Sequence, residues 1–464
     1  MAHRTNRRKP SGIPILPFRL LSLSLTLTGA LVPASAMAAG FGVDYEDARS
    51  LGTATAGSAS SQGASTVSYN PAGLGLLDHN EFIVGGQLFL LHDHFQNGGS
   101  TNLGGSQRTP GTNGQDAIPP TFVPWMFATY RLSPEWTAGI GLYSPFGLRT
   151  DYGPFWVGRY QNEVTSLTAI NLNPSVSYRP LPWLSLGAGV DVEYVSVRLT
   201  QAIDFGAACA GALGPAICAG GFGLVPGASD GQVDNRGSGI GYGYDLGVLA
   251  EVVPGTRVGI SYRSGIDQHI SGGKQSFVVS AQARDFLAAG GTPLALTRSA
   301  ISTALRLPAR LTFGLKQALT PRLDLLLDAT MTLWNVFDHT SVTAQDPATG
   351  ASVVIPQNYR NAWRFAAGLE WSLKEKYQLR TGVAYDQTPI PKSAVQAALP
   401  DADRVYLSGG ASVQLGTGWS ADLGYSHVFY VERVPIDRTV SGNILKGVFS
   451  NGGDIVAAQL RLRY

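Results

Sequence analysis

Residues 170–178 read INLNPSVSY, and after the short link RPLP residues 184–194 read LSLGAGVDVEY. In the first stretch Ile170, Leu172, Val176 and Tyr178 fall on one face, and Asn171, Asn173, Ser175 and Ser177 on the other. In the second, Leu184, Leu186, Ala188, Val190, Val192 and Tyr194 alternate with Ser185, Gly187, Gly189, Asp191 and Glu193. A period of two is the period of a β-strand, so each stretch is a strand with one apolar and one polar face. Together they make a hairpin.

The same register recurs outward in both directions. Tyr242 to Val252 turns at PGT and returns through Val258, Ile260 and Tyr262, and Trp363 to Trp371 returns through Tyr377, Leu379, Val383 and Tyr385. Fourteen such segments are expected, near 81–92, 121–130, 135–146, 164–178, 183–200, 238–252, 256–270, 304–317, 322–338, 359–372, 376–386, 403–416, 418–431 and 453–464. The links alternate between very short and long. That pattern belongs to an outer-membrane barrel with short periplasmic turns and long outer loops, and aromatic residues at the ends of the apolar rows fit its interfacial girdles. A soluble sandwich or propeller also alternates, but the polar faces here are too poor in charge for a soluble exterior. The fold class expected is all-β, a 14-stranded antiparallel transmembrane β-barrel with an N-terminal plug in its lumen.

Composition agrees with one large glycine-rich structure: 57 glycines, 14% charged residues and a net charge of +2 in 464 residues, with no linker between halves. No basic stripe marks a nucleic-acid partner. The basic start His3 to Lys9, the apolar run 13–32 and the small-residue site Ala36-Met37-Ala38 predict a secretory signal peptide over 1–38. No later stretch is long and apolar enough for a transmembrane helix. The expected organisation is therefore 1–38 signal peptide, 39–78 plug and 79–464 barrel, in the outer membrane of a Gram-negative bacterium.

A fourteen-stranded barrel is too wide for its own side chains to fill. Residues 39–78 lack a strand pattern, precede the first strand on the periplasmic side and carry anchors such as Tyr45, Leu51 and Tyr69, so they suit a plug. Within them Asn70-Pro71-Ala72 forms a turn in which Asn70 bonds loop backbone and Pro71 needs no amide donor.

AGFG at 39–42, LGTATAGSAS at 51–60 followed by SYNPAG, YSPFGLRTDY at 143–152 with WVGRY after it, INLNPSVSY, AYDQTPIP at 384–391 and PDADRVYLSGG at 400–410 occur in one order. With them the whole mature chain resembles the FadL family of outer-membrane transporters for long-chain fatty acids and other hydrophobic compounds. The resemblance implies a hatch containing Asn70, Pro71 and Ala72, ligand capture by outer loops and release sideways through the wall. It also implies polar and basic ligand contacts inside, for which Ser144 and Arg360 are the matching candidates. Gln201 stands where a second basic residue is expected, a departure that leaves room for a neutral hydrophobe. Arg360 is equally read as a lumen cation paired with Asp386 or Asp403.

From 205 to 229 an outer loop carries no charge, and the partner loop 271–303 carries Phe277, Val278, Val279, Phe286, Leu287, Leu294 and Leu296. Leu213, Ile217, Phe222, Phe277, Phe286 and Leu287 are the candidates for an outer substrate groove; contact with lipopolysaccharide is the alternative reading. Cys209 and Cys218, nine apart in that loop, are read either as a local disulfide or as a free buried pair. The sideways door is expected at Ser144, Pro145, Phe146 and Gly147, because proline interrupts a ladder and glycine tolerates a bulge. The other reading ends the strand there, just above the membrane. His92 and His94 share a strand face, read as a strand end at the headgroups rather than a metal pair. No catalytic residue, metal or cofactor is expected. The function expected is passive uptake of hydrophobic small molecules, long-chain fatty acids first, by a monomer in contact with outer-membrane lipid and lipopolysaccharide. An aromatic-hydrocarbon channel, a general diffusion porin and a lipid-active enzyme are the alternatives.

Overall fold

The computed structural model describes residues 42–114, 116–290, 298–345 and 353–464. The signal peptide expected at 1–38 lies outside them. Fourteen antiparallel wall strands follow one another in chain order. The first seven are β1 Glu81–Asn97, β2 Thr121–Arg131, β3 Trp136–Tyr143 continued as Gly147–Asp151, β4 Val164–Leu181, β5 Leu184–Asp204, β6 Asp230–Val253 and β7 Thr256–Arg263 continued as Ile266–Val278. The rest are β8 Arg298–Leu307 with Arg310–Thr320, β9 Leu323–Thr332 with His339–Ala344, β10 Val353–Pro356 with Ala362–Lys374, β11 Tyr377–Asp386, β12 Arg404–Gly416, β13 Trp419–Tyr430 and β14 Asn443–Arg463. β14 pairs back onto β1 from Glu81↔Arg463 to Asn97↔Gly447, which closes the sheet into a barrel.

The polarity is inverted relative to a soluble domain. Along β4, Ile170, Leu172, Val176 and Tyr178 are exposed while Asn171, Asn173, Ser175 and Ser177 are buried. An exposed apolar face and a buried polar face require lipid outside. Trp136, Tyr178, Trp183, Trp371, Tyr377 and Trp419 crowd the short-turn ends, with Trp136 stacked on Tyr178 at 4.5 Å. Tyr194, Tyr242, Tyr385 and Phe429 stand near the other ends. The eleven steps from Trp183 to Tyr194 along β5, at ~3.3 Å each and a tilt of ~40°, give ~28 Å, close to the height of a barrel's apolar band.

All fourteen expected segments are strands, but several run further outward than their apolar rows. β1 continues to Asn97, β5 to Asp204 and β7 to Val278, while β6 starts at Asp230 and β14 at Asn443. Beyond the hydrocarbon the outward face turns polar, so the alternation fades although the ladder continues. The uncharged stretch at 205–229 is not plain loop: it opens with the helix Phe205–Leu213.

Residues 42–78 are largely buried and bonded to inward-facing groups around the ring. The Ala48 amide donates to Gln459 Oε1 at 3.0 Å, the Ser58 amide to Asp328 Oδ2 at 2.7 Å, and Ser185 Oγ donates to the Ala72 carbonyl at 2.6 Å. Asp47 caps the short helix Ala48–Gly52. Asn70 caps the turn Pro71–Leu76 by accepting from the Ala72 amide at 3.1 Å, and its amide nitrogen donates to the carbonyls of Ala59 at 2.6 Å and Val248 at 3.2 Å. The wall makes room: a Cβ on Gly247 would stand 1.9 Å from Asn70 Oδ1, and one on Gly187 2.2 Å from the Ala72 nitrogen.

Gly247→Val should therefore unseat the segment and leave the wall intact, because β6 is held by ladders on both sides while overpacking costs ~1–3 kcal/mol or more. The expected result is new protease cleavage within 42–78, with heat-modifiable mobility retained. A protected variant would show that seating does not depend on this contact.

Candidate functional site

The site begins where β3 breaks. The ladder between β2 and β3 stops at Met126↔Leu142, so Thr121–Trp125 pair with β1 but have no β3 neighbour. On the other side, Tyr143↔Asn171 and Gly147↔Thr168 bracket three residues of β3 against two of β4. The extra residue is a bulge, and Pro145 within it has no N–H to pair. Pro124 on the facing edge lacks the donor too. The N-terminal segment meets the break: the Val43 amide donates to the Pro145 carbonyl at 2.9 Å, and Gly42 bridges Phe146.

A cavity of about 620 Å³ opens at this break. Its inner part is lined by Tyr45, Trp125, Tyr143, Phe146, Tyr406 and Ile455, and its outer part by the lipid-side residues Phe122, Met126, Leu142 and Ile170. Inward-facing and outward-facing residues share one lining only if the cavity passes through the wall. Ser144, Ser166 and Thr168 are its polar groups near the break.

Behind the cavity lies a charged cluster that anchors the N-terminal segment. Asp44 accepts from Arg310 at 2.7 Å and Arg364 at 3.1 Å, and Arg364 also donates to the Tyr45 hydroxyl at 2.8 Å. Asp386 meets Arg404 at 2.8 Å and Arg364 at 3.5 Å. Arg364 lies over the Tyr406 ring at 4.5 Å. Burial opposes the charge on Asp44, but Arg310, Arg364 and Arg404 outweigh it and hold the carboxyl below its ordinary range. Removing one partner of such a buried cluster costs ~3–5 kcal/mol, against ~0–1 for an exposed pair like Arg306–Asp267.

The expected site residues separate into three groups. Ser144, Pro145, Phe146 and Gly147 lie at the break, with Ser144, Phe146 and Gly147 on the cavity wall. Leu213, Ile217, Phe222, Phe277, Phe286 and Leu287 come together in the outer loops, but unequally. Phe286 and Leu287 are buried with Phe205, Cys209, Cys218 and Leu224 in a small core of their own, Phe222 and Phe277 pack half-buried against it, and Leu213 and Ile217 face out. Phe286 and Leu287 are thus interior rather than groove residues, because the helix Ala281–Ala289 turns them onto the neighbouring loop. Cys209 and Cys218 are bridged. His92 and His94 lie side by side on β1, with ring centres 5.4 Å apart.

Arg360 is not the arginine that pairs with Asp386. It is exposed just before β10, and Arg364 and Arg404 hold Asp386 instead; Asp403 accepts from the Thr388 amide at 2.8 Å. Arg364 is four residues on and inside the strand, where the period of two points it inward between Trp363 and Phe365. That register was the signal for it. Asp44 and Tyr45 carried no such signal.

The model of the family "Outer membrane protein transport protein (OMPP1/FadL/TodX)" matches residues 29–464. The chain belongs to this family. A putative outer membrane protein of Neisseria meningitidis serogroup B is 28% identical over 97% of this chain and 99% of its own length. The long-chain fatty acid transport protein of Escherichia coli K12 is 25% identical over 87% and 91%. Among solved structures, a Pseudomonas aeruginosa FadL homologue superposes with a TM-score of 0.82 at 23% identity, covering 91% of this chain and 99% of that one. The Ralstonia pickettii toluene transporter TbuX gives 0.64 at 21% identity over 90% and 98%. This FadL/TodX-family chain is therefore an outer-membrane transport protein.

Beside the cluster, burial pushes the Glu46 carboxyl up to about 7, with Arg263 and Arg310 pulling the other way. A raised carboxyl favours the seated segment fully below the ordinary carboxylate value and loses that contribution as pH rises through about 7. Amide protection over 42–60, taken relative to the intrinsic exchange rate at each pH, should thus be weaker at about pH 8 than at about pH 5.5, and Glu46→Gln should flatten the difference. Equal protection at both values in the wild type would show that Glu46 does not titrate with seating.

Proposed function

We propose that this protein is a passive channel for hydrophobic small molecules, working as a monomer surrounded by outer-membrane lipid and lipopolysaccharide. In this reading residues 42–78 are the hatch that blocks the lumen, and the substrate leaves sideways at Ser144–Gly147 into the outer leaflet. The observation that carries it is the cavity that runs through the wall from Tyr45 and Trp125 to Phe122 and Leu142. A hydrophobe taking that route never crosses aqueous periplasm, which the hydrophobic effect makes costly. Long-chain fatty acids are the first substrate class, in line with the name of the Escherichia coli relative. A second class, neutral aromatic hydrocarbons, is favoured by the pairing of Arg364 and Arg404 with Asp44 and Asp386, which offsets the cationic charge on the inner side of the cavity. Against a diffusion porin stands the filled upper lumen, where Phe95, Trp156, Trp334 and Phe449 pack into one apolar cluster.

Three residues of β3 oppose two of β4, so deleting Pro145 alone equalises the strands and keeps Tyr143 inward and Gly147 outward. That variant should pair β3 with β2 and seal the wall. In cells with confirmed surface expression it should lose uptake of labelled oleate or toluene, whichever the wild type imports. Undiminished import through the sealed barrel would place the route elsewhere.

Capture is assigned to the exposed apolar residues of the outer loop. Leu213→Asp with Ile217→Asp should weaken initial hydrophobe binding several-fold, since apolar burial at ~25 cal/mol per Å² is the attraction available there. The buried loop core is untouched, so folding should be normal. Wild-type binding by the double variant would remove the loop from capture.

A further inference from the structure

Above the lipid-facing band one row of the wall is basic. The ladders place Arg149 opposite Ser166, Ser166 opposite Arg198, Arg198 opposite Arg236 and Arg236 opposite Lys274. One continuous register row therefore crosses β3 to β7. Period-two alternation puts all five on the outward face, with Arg198 on the same side as Val190 and Tyr194, and Arg236 on that of Ile240 and Tyr242. Arg198 lies four residues beyond Tyr194, ~10 Å above the edge of the apolar band at ~3.3 Å per residue and the usual tilt. With strands ~4.8 Å apart, Arg198 to Lys274 spans ~10 Å.

We propose that Arg198, Arg236 and Lys274, with Arg149 at the end of the row, bind the phosphate groups of a phosphorylated glycolipid of the outer leaflet, that is, the lipid A part of lipopolysaccharide. The outer-membrane location is the premise; the transport route is not. Two carboxylates face the row from the next register row outward: Asp151, exposed two residues beyond Arg149, and Asp234, which accepts from Arg198 at 3.0 Å and Arg236 at 2.7 Å. Both arginines reach it through Nε and Nη2, so Asp234 fixes their spacing and leaves each Nη1 outside that bond. Their side chains remain 43% and 61% exposed. Two carboxylates beside four cations leave the row net positive. Two oriented guanidiniums suit the tetrahedral oxygens of a phosphate better than a hydrated ammonium pair would.

The neighbouring charges show that this is a local feature. Lower on β7 and β8, Asp267 and Arg306 face each other at 3.5 Å and balance. On β13 and β14 the outward charge beside Tyr425 is Asp454, held by His427 at 2.7 Å. Arg149 also borders the cavity at the β3 break, so a glycolipid held on this row would stand beside the lateral opening.

The test uses the full-length protein in a neutral detergent and native mass spectrometry. Bisphosphorylated lipid A is the probe, with its dephosphorylated form and phosphatidylglycerol as comparisons. Wild type should retain bisphosphorylated lipid A at least about tenfold better than either comparison lipid, and R198Q/R236Q/K274Q should lose that preference. Heat-modifiable mobility checks that the variant is folded, and the dephosphorylated lipid tests the same claim on the unaltered protein. The Pro145 deletion, which seals the wall, should keep lipid A binding, so a failed transport route and a failed lipid site give different results. Retention of the dephosphorylated lipid at the same level, equal retention of phosphatidylglycerol, or undiminished lipid A binding by the triple variant would each overturn the assignment.

Discussion

Backbone amides and carbonyls inside hydrocarbon have no water to bond, so a sheet that crosses a membrane must close on itself. The fourteen strands meet that demand round the ring, β14 returning to β1, except where a ladder is interrupted: between β2 and β3, between β6 and β7 from Arg263↔Asp245 to Lys274↔Arg236, and between β8 and β9 from Arg310↔Thr332 to Thr303↔Val342. Between β2 and the upper half of β3 the ladder is interrupted, and the chain limits the damage there. Two prolines remove donors at the break, and the Val43 amide occupies the Pro145 carbonyl from inside. The opening in the wall and the N-terminal segment are therefore energetically linked, since moving Val43 frees a carbonyl at the edge of the gap.

The same wall has to satisfy a second demand on its inner face. Strand alternation that turns apolar residues to lipid turns polar residues and charges to the lumen, where bulk water is largely displaced by residues 42–78. The charges are consequently arranged as clusters: Asp44, Arg310, Arg364, Asp386 and Arg404 on one side, and Arg49, Glu370 and Arg380 on another. Each cluster joins the segment to strands far away in sequence. Buried ion pairs add little net stability over apolar packing, yet a mismatched one is expensive, so they specify where the segment sits more than how tightly.

The barrel was readable because INLNPSVSY and its repeats state the period and the polarity together. What limited the reading is equally physical. Alternation is visible only while one face meets lipid, so the outer third of β1, β5, β6 and β14 passed for loop. The break in β3 was visible as Ser144-Pro145-Phe146-Gly147, because a proline within a wall strand leaves its neighbour without a donor and so interrupts the ladder. The loop at 205–229 shows the opposite case: its lack of charge marked it as unusual, but composition does not tell a groove from a small core, and Phe286 and Leu287 belong to the core. The pairing with Asp386 falls to Arg364 and Arg404 rather than Arg360, because at a strand start a shift of a few residues decides which arginine points inward. Gly247 and Gly187 carry no local signal at all; their reason is the backbone of residues 70–72, more than a hundred residues earlier.

Those two glycines bear on the order in which the molecule is assembled. The surfaces that receive residues 42–78 come from β5, β6, β9, β10 and β14, and they face one another only when the ring is complete or nearly so. The upper lumen is already occupied by Trp156, Phe95 and their neighbours, so the lower end is the open approach. The segment at the front of the chain is therefore among the last to find its place, and until then it waits at the periplasmic mouth beside a barrel whose interior is still wet.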